Sequence, residues 1–74
     1  MHVKLELFSY FRTNCGGRDS LELPAGATVA DLLTRLAIDR AEVGILVING
    51  KPGKIKDRLA PGDRVTLIPI IGGG

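Results

Sequence analysis

At 74 residues and 7.9 kDa the chain is about half the usual single-domain length, which leaves room for one small domain and none for a second. One cysteine forbids an internal disulfide and one histidine forbids a His/Cys metal cluster, so the fold stands on packing, with 45% of the residues hydrophobic. Ten Lys and Arg against eight Asp and Glu give a charge of +2, interspersed in sign and too mild for a dedicated nucleic-acid binder, and no apolar run approaches the roughly 20 residues that span a bilayer.

From Val3 to Leu7 apolar residues alternate with Lys4 and Glu6, the period of a strand with one face on a core, and Phe8 falls on its polar face. This opening does not set a basic region before a continuous apolar stretch, so no secretory signal is expected; a cytoplasmic location is, and it suits a lone reduced thiol. Arg12 to Asp19, with Asn14, Gly16 and Gly17, is expected to be a turn or loop. A second short strand follows, with Leu21 and Leu23 inward, and Pro24-Ala25-Gly26 closes it.

Thr28 then stands three residues before Asp31, the spacing of a capping box. Val29, Leu32, Leu33, Leu36 and Ala37 form one apolar stripe, which predicts an amphipathic helix over Val29 to Ile38. After a connector from Asp39 to Glu42, the unbroken aliphatic run Ile45 to Ile48 predicts a central strand buried on both faces, and Asn49-Gly50 predicts a tight hairpin turn. Pro52 and Gly53 limit the returning strand to a short edge, and Pro61-Gly62 turns the chain into a last strand from Arg64 to Ile71. In that strand Val65 and Leu67 share one face, with Thr66, Ile68 and Ile70 on the other.

The order predicts an α+β domain over residues 1–71, a mixed sheet of four to five strands with one main helix on one face and the first and last strands side by side. Residues 72–74 are expected to be a flexible glycine tail.

Catalytic groups are sparse. His2 lies in the terminal stub, Cys15 in a glycine loop, and no Ser-His or carboxylate pair has recognisable spacing, so the chain is not expected to be an enzyme. Lys51, Lys54, Lys56 and Arg58 are expected to be a solvated edge or, failing that, a docking surface. The glycines at 50 and 53 lack the Walker spacing of a phosphate loop.

The end of the chain is different. Ile68-Pro69-Ile70-Ile71 leads into Gly72-Gly73-Gly74, a segment narrow enough for its carboxylate to thread a channel too tight for any Cβ. A free carboxylate is a poor acyl donor; transfer of AMP from ATP makes it an anhydride that sulfur or nitrogen can attack. If Val65 and Leu67 pack on the helix, Ile68, Ile70 and Phe8 point the other way and form an apolar partner surface beside the glycines. The alternative is that the loop near Tyr10 and Phe11 covers them.

The opening strand, the stretch Leu21-Glu22-Leu23-Pro24-Ala25-Gly26-Ala27-Thr28-Val29-Ala30-Asp31-Leu32-Leu33, Val47-Ile48-Asn49-Gly50, and Leu59-Ala60-Pro61-Gly62-Asp63-Arg64-Val65 before the glycine end together resemble the ThiS/MoaD family of ubiquitin-like sulfur carriers. The resemblance implies a β-grasp fold and a carrier with no bound cofactor. Gly74 would be adenylated by a ubiquitin-activating-type adenylyltransferase that uses ATP, then converted with a sulfurtransferase to a thiocarboxylate that donates sulfur in cofactor biosynthesis. Gly73 and Gly72 would thread the partner's channel. Ile68-Pro69 looks closest to the small subunit of molybdopterin synthase, which would add a synthase large subunit to the partners; Ile70 stands where a second proline often does, and a thiamine-type role stays open. The alternatives are a ubiquitin-like modifier conjugated through Gly74 and a passive interaction domain. No membrane or specific nucleic-acid partner is expected.

Overall fold

In the computed structural model, which describes residues 1–70, the alternation of the opening residues becomes β1 (His2–Leu7), with Val3, Leu5 and Leu7 buried. β2 (Ser20–Glu22) runs antiparallel along one side of it, pairing Val3 with Leu21. β5 (Arg64–Pro69) runs parallel along the other side, from Lys4 opposite Arg64 to Leu7 opposite Leu67. β3 (Val43–Ile48) lies antiparallel to β5, and β4 (Lys51–Pro52) closes the far edge, giving the order β2-β1-β5-β3-β4. The first and last strands are side by side, as expected, and β5 is the strand at the centre.

The main helix, α2 (Val29–Arg35), packs on one face through Val29, Leu32 and Leu33. Its start is the capping box: the Asp31 N–H donates to Thr28 Oγ1 at 3.3 Å, and the Thr28 N–H donates to Asp31 Oδ2 at 2.9 Å. It stops three residues before the expected end at Ile38. The Ile38 N–H reaches the Leu33 carbonyl at 2.9 Å and the Ala37 N–H reaches that of Thr34 at 3.1 Å, a Schellman closure with Ala37 at φ 58°. Ile38 packs against the core from beyond this turn, so its helical spacing records burial and no further turn of helix.

Three other expectations are corrected. Part of the stretch read as loop from Arg12 is helical: α1 (Tyr10–Asn14) is five residues long, too short to show a period, and buries Phe11 at 2% exposure. β3 is neither central nor buried on both faces. It is second from the edge, the helices cover only one side of the sheet, and Ile45 is 52% exposed. A bulge between Val43 and Ile45 resets its alternation, so that Val43, Leu46 and Ile48 all pack on the core while Ile45 and Val47 take the open face. Finally, β5 ends at Pro69; Ile70 follows the strand, and Ile71 lies outside the described residues.

The core is continuous and, apart from Phe11, aliphatic: Val3, Val29, Leu32, Val65 and Leu67 are fully enclosed, and among the described residues no polar side chain is buried. Asn49 and Gly50, at φ 53° and 81°, make the expected hairpin turn. Asn49 also fastens that turn to β5, accepting from the Arg64 N–H and donating to Asp63, both at 2.9 Å. No helix among the described residues is long and apolar enough to cross a membrane.

Candidate functional site

The strand registers align open-face residues in rows across the sheet. Glu6, Thr66, Val47 and Pro52 form one row, and within it Thr66 Oγ1 donates to Glu6 Oε1 at 2.7 Å. The next row, nearer the end of β5, is apolar. Ile68 stands opposite Ile45, and Phe8, whose N–H donates to the Leu67 carbonyl at 3.2 Å, flanks Ile68 on the other side. Phe8 is 49% exposed, Ile45 52% and Ile70 59%, with Ile68 half-buried between them. The segment at Tyr10 and Phe11 does not cover this row, because Phe11 turns into the core and Tyr10 is itself exposed.

The last described residues are held from the β3 side. The Ile70 N–H donates to the Glu42 carbonyl at 2.9 Å, and Gly44 is so close to them that a Cβ there would stand 3.1 Å from Ile70 N and from the Pro69 carbonyl oxygen. From α1 the Tyr10 hydroxyl donates to Glu42 Oε2 at 3.1 Å. Partial burial, then that hydrogen bond and the Glu42 charge, raise the Tyr10 phenol above its ordinary pKa. β5 therefore delivers the chain to residue 70 from a base fixed by β1, β3, Tyr10 and Glu42. Gly72, Gly73 and Gly74 lie outside the described residues.

The remaining candidates stand apart. His2 is at the opposite end of β1, its Nε2 2.9 Å from Glu22 Oε1, while the Met1 ammonium 2.7 Å from Glu22 Oε2 holds that carboxyl below its usual pKa. Cys15 is half-buried at the end of α1, in a cleft of about 210 Å³ between Arg18 and Arg35. The larger cleft, about 370 Å³ beside β1, is lined by Ser9, Arg12 and Arg18 among others and holds neither a histidine nor a cysteine. Among the described residues no group of three or more His, Cys, Asp or Glu could hold a metal ion. Sequence reasoning missed Ile45, Tyr10, Glu42 and Gly44. A bulge leaves no signature in an aliphatic run, although Gly44 just before it was the one available sign of a close backbone approach.

Comparison with known proteins agrees with this geometry. The ThiS family matches residues 5–74. The chain belongs to the ThiS family. Several solved structures share the fold of this ThiS-family chain. The one described as molybdopterin converting factor, subunit 1, from Pyrococcus furiosus is 28% identical with a TM-score of 0.77, over 96% of this chain and 99% of that one. Small archaeal modifier protein 1 from Haloferax volcanii is 21% identical with a TM-score of 0.77, over 95% and 98%. CysO from Amycolatopsis orientalis, solved in complex with BexX, is 22% identical with a TM-score of 0.63, over 97% and 99%. Among curated proteins no significant match is found by sequence.

Proposed function

We propose that the chain is a sulfur carrier whose Gly74 carboxylate is the reacting group, working as a co-substrate of partner enzymes. The carboxylate oxygen attacks the α-phosphorus of ATP within an adenylyltransferase of the ubiquitin-activating type, and pyrophosphate leaves. A persulfide on a sulfurtransferase then attacks the acyl adenylate and expels AMP. A thiol cleaves the resulting acyl disulfide, which frees the thiocarboxylate and leaves a disulfide between the thiol and the sulfurtransferase sulfur.

The observation that carries this reading is the exposed row Phe8, Ile68 and Ile45, with Ile70, at the end of the sheet where β5 runs out toward the glycines. A partner seated on that row meets the chain at residue 70 with its direction already set, and Gly72 and Gly73 thread the partner's channel. The family membership, whose match includes the glycine end, supports the chemistry. The 28% identity to the Pyrococcus furiosus subunit favours a molybdopterin-type acceptor, with a synthase large subunit as second partner, ahead of a thiamine-type one. A cytoplasmic setting, where ATP and reduced sulfur are at hand, fits it.

The test is ATP–pyrophosphate exchange catalysed by an activating enzyme, with the full chain and with the chain lacking Gly73 and Gly74. Exchange with the full chain alone supports the carrier; equal exchange with both removes the tail from the reaction. Discrete higher-mass conjugates in lysate that vanish with the same deletion would instead support a protein modifier.

A further inference from the structure

The net charge of the chain is concentrated in one stretch. Residues 51–58 hold Lys51, Lys54, Lys56 and Arg58 against Asp57 alone, a balance of +3, while the rest of the chain has six basic residues against seven acidic and a balance of −1. All four cations are exposed. The ion pairs of the described residues lie elsewhere, at Glu22 and Glu6.

Nearby carboxylates are already committed. Asp57 Oδ2 accepts from the Lys54 N–H at 2.9 Å, Asp63 accepts from Asn49 Nδ2 at 2.9 Å and from the Ala60 N–H at 2.8 Å, and Asp31 caps α2. They shape the backbone, and among the described residues none of them forms an ion pair with the four cations.

These cations stand on a fixed frame. The Gly53 N–H donates to the Leu46 carbonyl at 3.0 Å; the Ile55 and Asp57 carbonyls accept from Ala30 and Val29, each at 3.0 Å; Arg58 bridges to Thr28. Protection of a sheet edge accounts for Lys51, which is in β4, and not for Lys54, Lys56 and Arg58, which follow it past the first turn of α2. Cations beside the amide end of a helix oppose its dipole, so this placement does not serve the stability of α2. Pro52 ties the strip to the open face, in the same row as Val47 and one row from Ile45 and Ile68.

We propose that residues 51–58 form a docking strip for an acidic surface on the activating enzyme, which steers that enzyme onto the apolar row; this rests on the carrier reading above. The occupant is a protein and not RNA, because no aromatic side chain stands in the strip to stack on a base and because the strip is continuous with an apolar face.

The test is the double charge reversal Lys54→Glu with Lys56→Glu, beside the neutral pair Lys54→Gln with Lys56→Gln, in pyrophosphate exchange at increasing sodium chloride. At low salt the reversed chain is expected to show a KM raised about tenfold with kcat unchanged, and the neutral pair an intermediate KM. The difference is expected to close as salt shortens the range of the charges to roughly 3 Å near 1 M. An unchanged KM at low salt in a wild type that is charged overturns the strip alone. Total transfer RNA that binds the wild type and not the reversed chain, with KM unmoved, assigns the strip to RNA and also overturns it. A wild type that is never charged removes the carrier reading and the strip with it. Thermal unfolding of the exposed-site variants is expected to match wild type, so a change in KM reads docking.

Discussion

The Tyr10 hydroxyl donates to Glu42 Oε2 at 3.1 Å while the backbone carbonyl of the same Glu42 accepts from Ile70, so one residue joins α1 to the end of β5. This bond predicts a pH dependence. Tyr10 is raised above 10 by partial burial and by Glu42, so the folded state favours the neutral phenol. Its contribution to stability is complete below the unfolded value of about 10 and is lost as pH rises through the higher folded value. The chain has one tyrosine and no tryptophan, so a phenolate absorbance titration reports Tyr10 alone. Glu42→Gln is expected to lower the midpoint; an unchanged midpoint would mean that the two groups do not interact.

Gly44 admits the close approach of Pro69 and Ile70. In Gly44→Ala the new Cβ meets backbone at 3.1 Å, which must move. A loss of about 1–3 kcal/mol is expected, the usual cost of overpacking. Amide hydrogen exchange should locate it, with faster exchange at Ile70 than in the wild type and little change at Leu5 or Val65.

Ala37 closes α2 at φ 58°, a conformation that costs a residue with a Cβ roughly 1–2 kcal/mol. Ala37→Gly removes that strain at a position that is exposed and past the helix. Denaturant unfolding is expected to show a gain of about 1 kcal/mol at most, since glycine returns part of it to the unfolded chain. A loss would show that Ala37 is stabilised by contacts its exposure does not suggest.

Leu67 and Ile68 are adjacent and face opposite sides of the sheet. Leu67→Ala opens the core and is expected to cost about 2–5 kcal/mol. Ile68→Asp is expected to keep the fold and to raise the KM of the activating enzyme, because Ile68 belongs to the open row. Circular dichroism melting with exchange kinetics on both variants separates the two roles; unfolding of Ile68→Asp would return that residue to the core.

What the sequence disclosed and what it hid follow one division. Elements whose signal is local were legible: the alternation of Val3, Leu5 and Leu7, the Thr28 and Asp31 box, and the Asn49-Gly50 turn each depend on residues within a few positions. Phe8 and Ile70 were placed on the outer face because strand alternation fixes side, and both are exposed. Hidden features depend on partners distant in sequence. The exposure of Ile45 follows from which face the helices leave open, the bulge at Gly44 from the path of Pro69, and the Tyr10–Glu42 bond from a separation of 32 residues. The helix at Tyr10 escaped because five residues carry no measurable period.

The central claim concerns Gly74, and mass spectrometry of the C-terminal peptide tests it most directly. After incubation of the chain with ATP, an activating enzyme, a persulfide-bearing sulfurtransferase and a thiol, the peptide is expected to gain the mass of one sulfur-for-oxygen exchange, localised to Gly74. A peptide that remains a carboxylate while the same enzymes convert another ThiS-family chain would contradict the account.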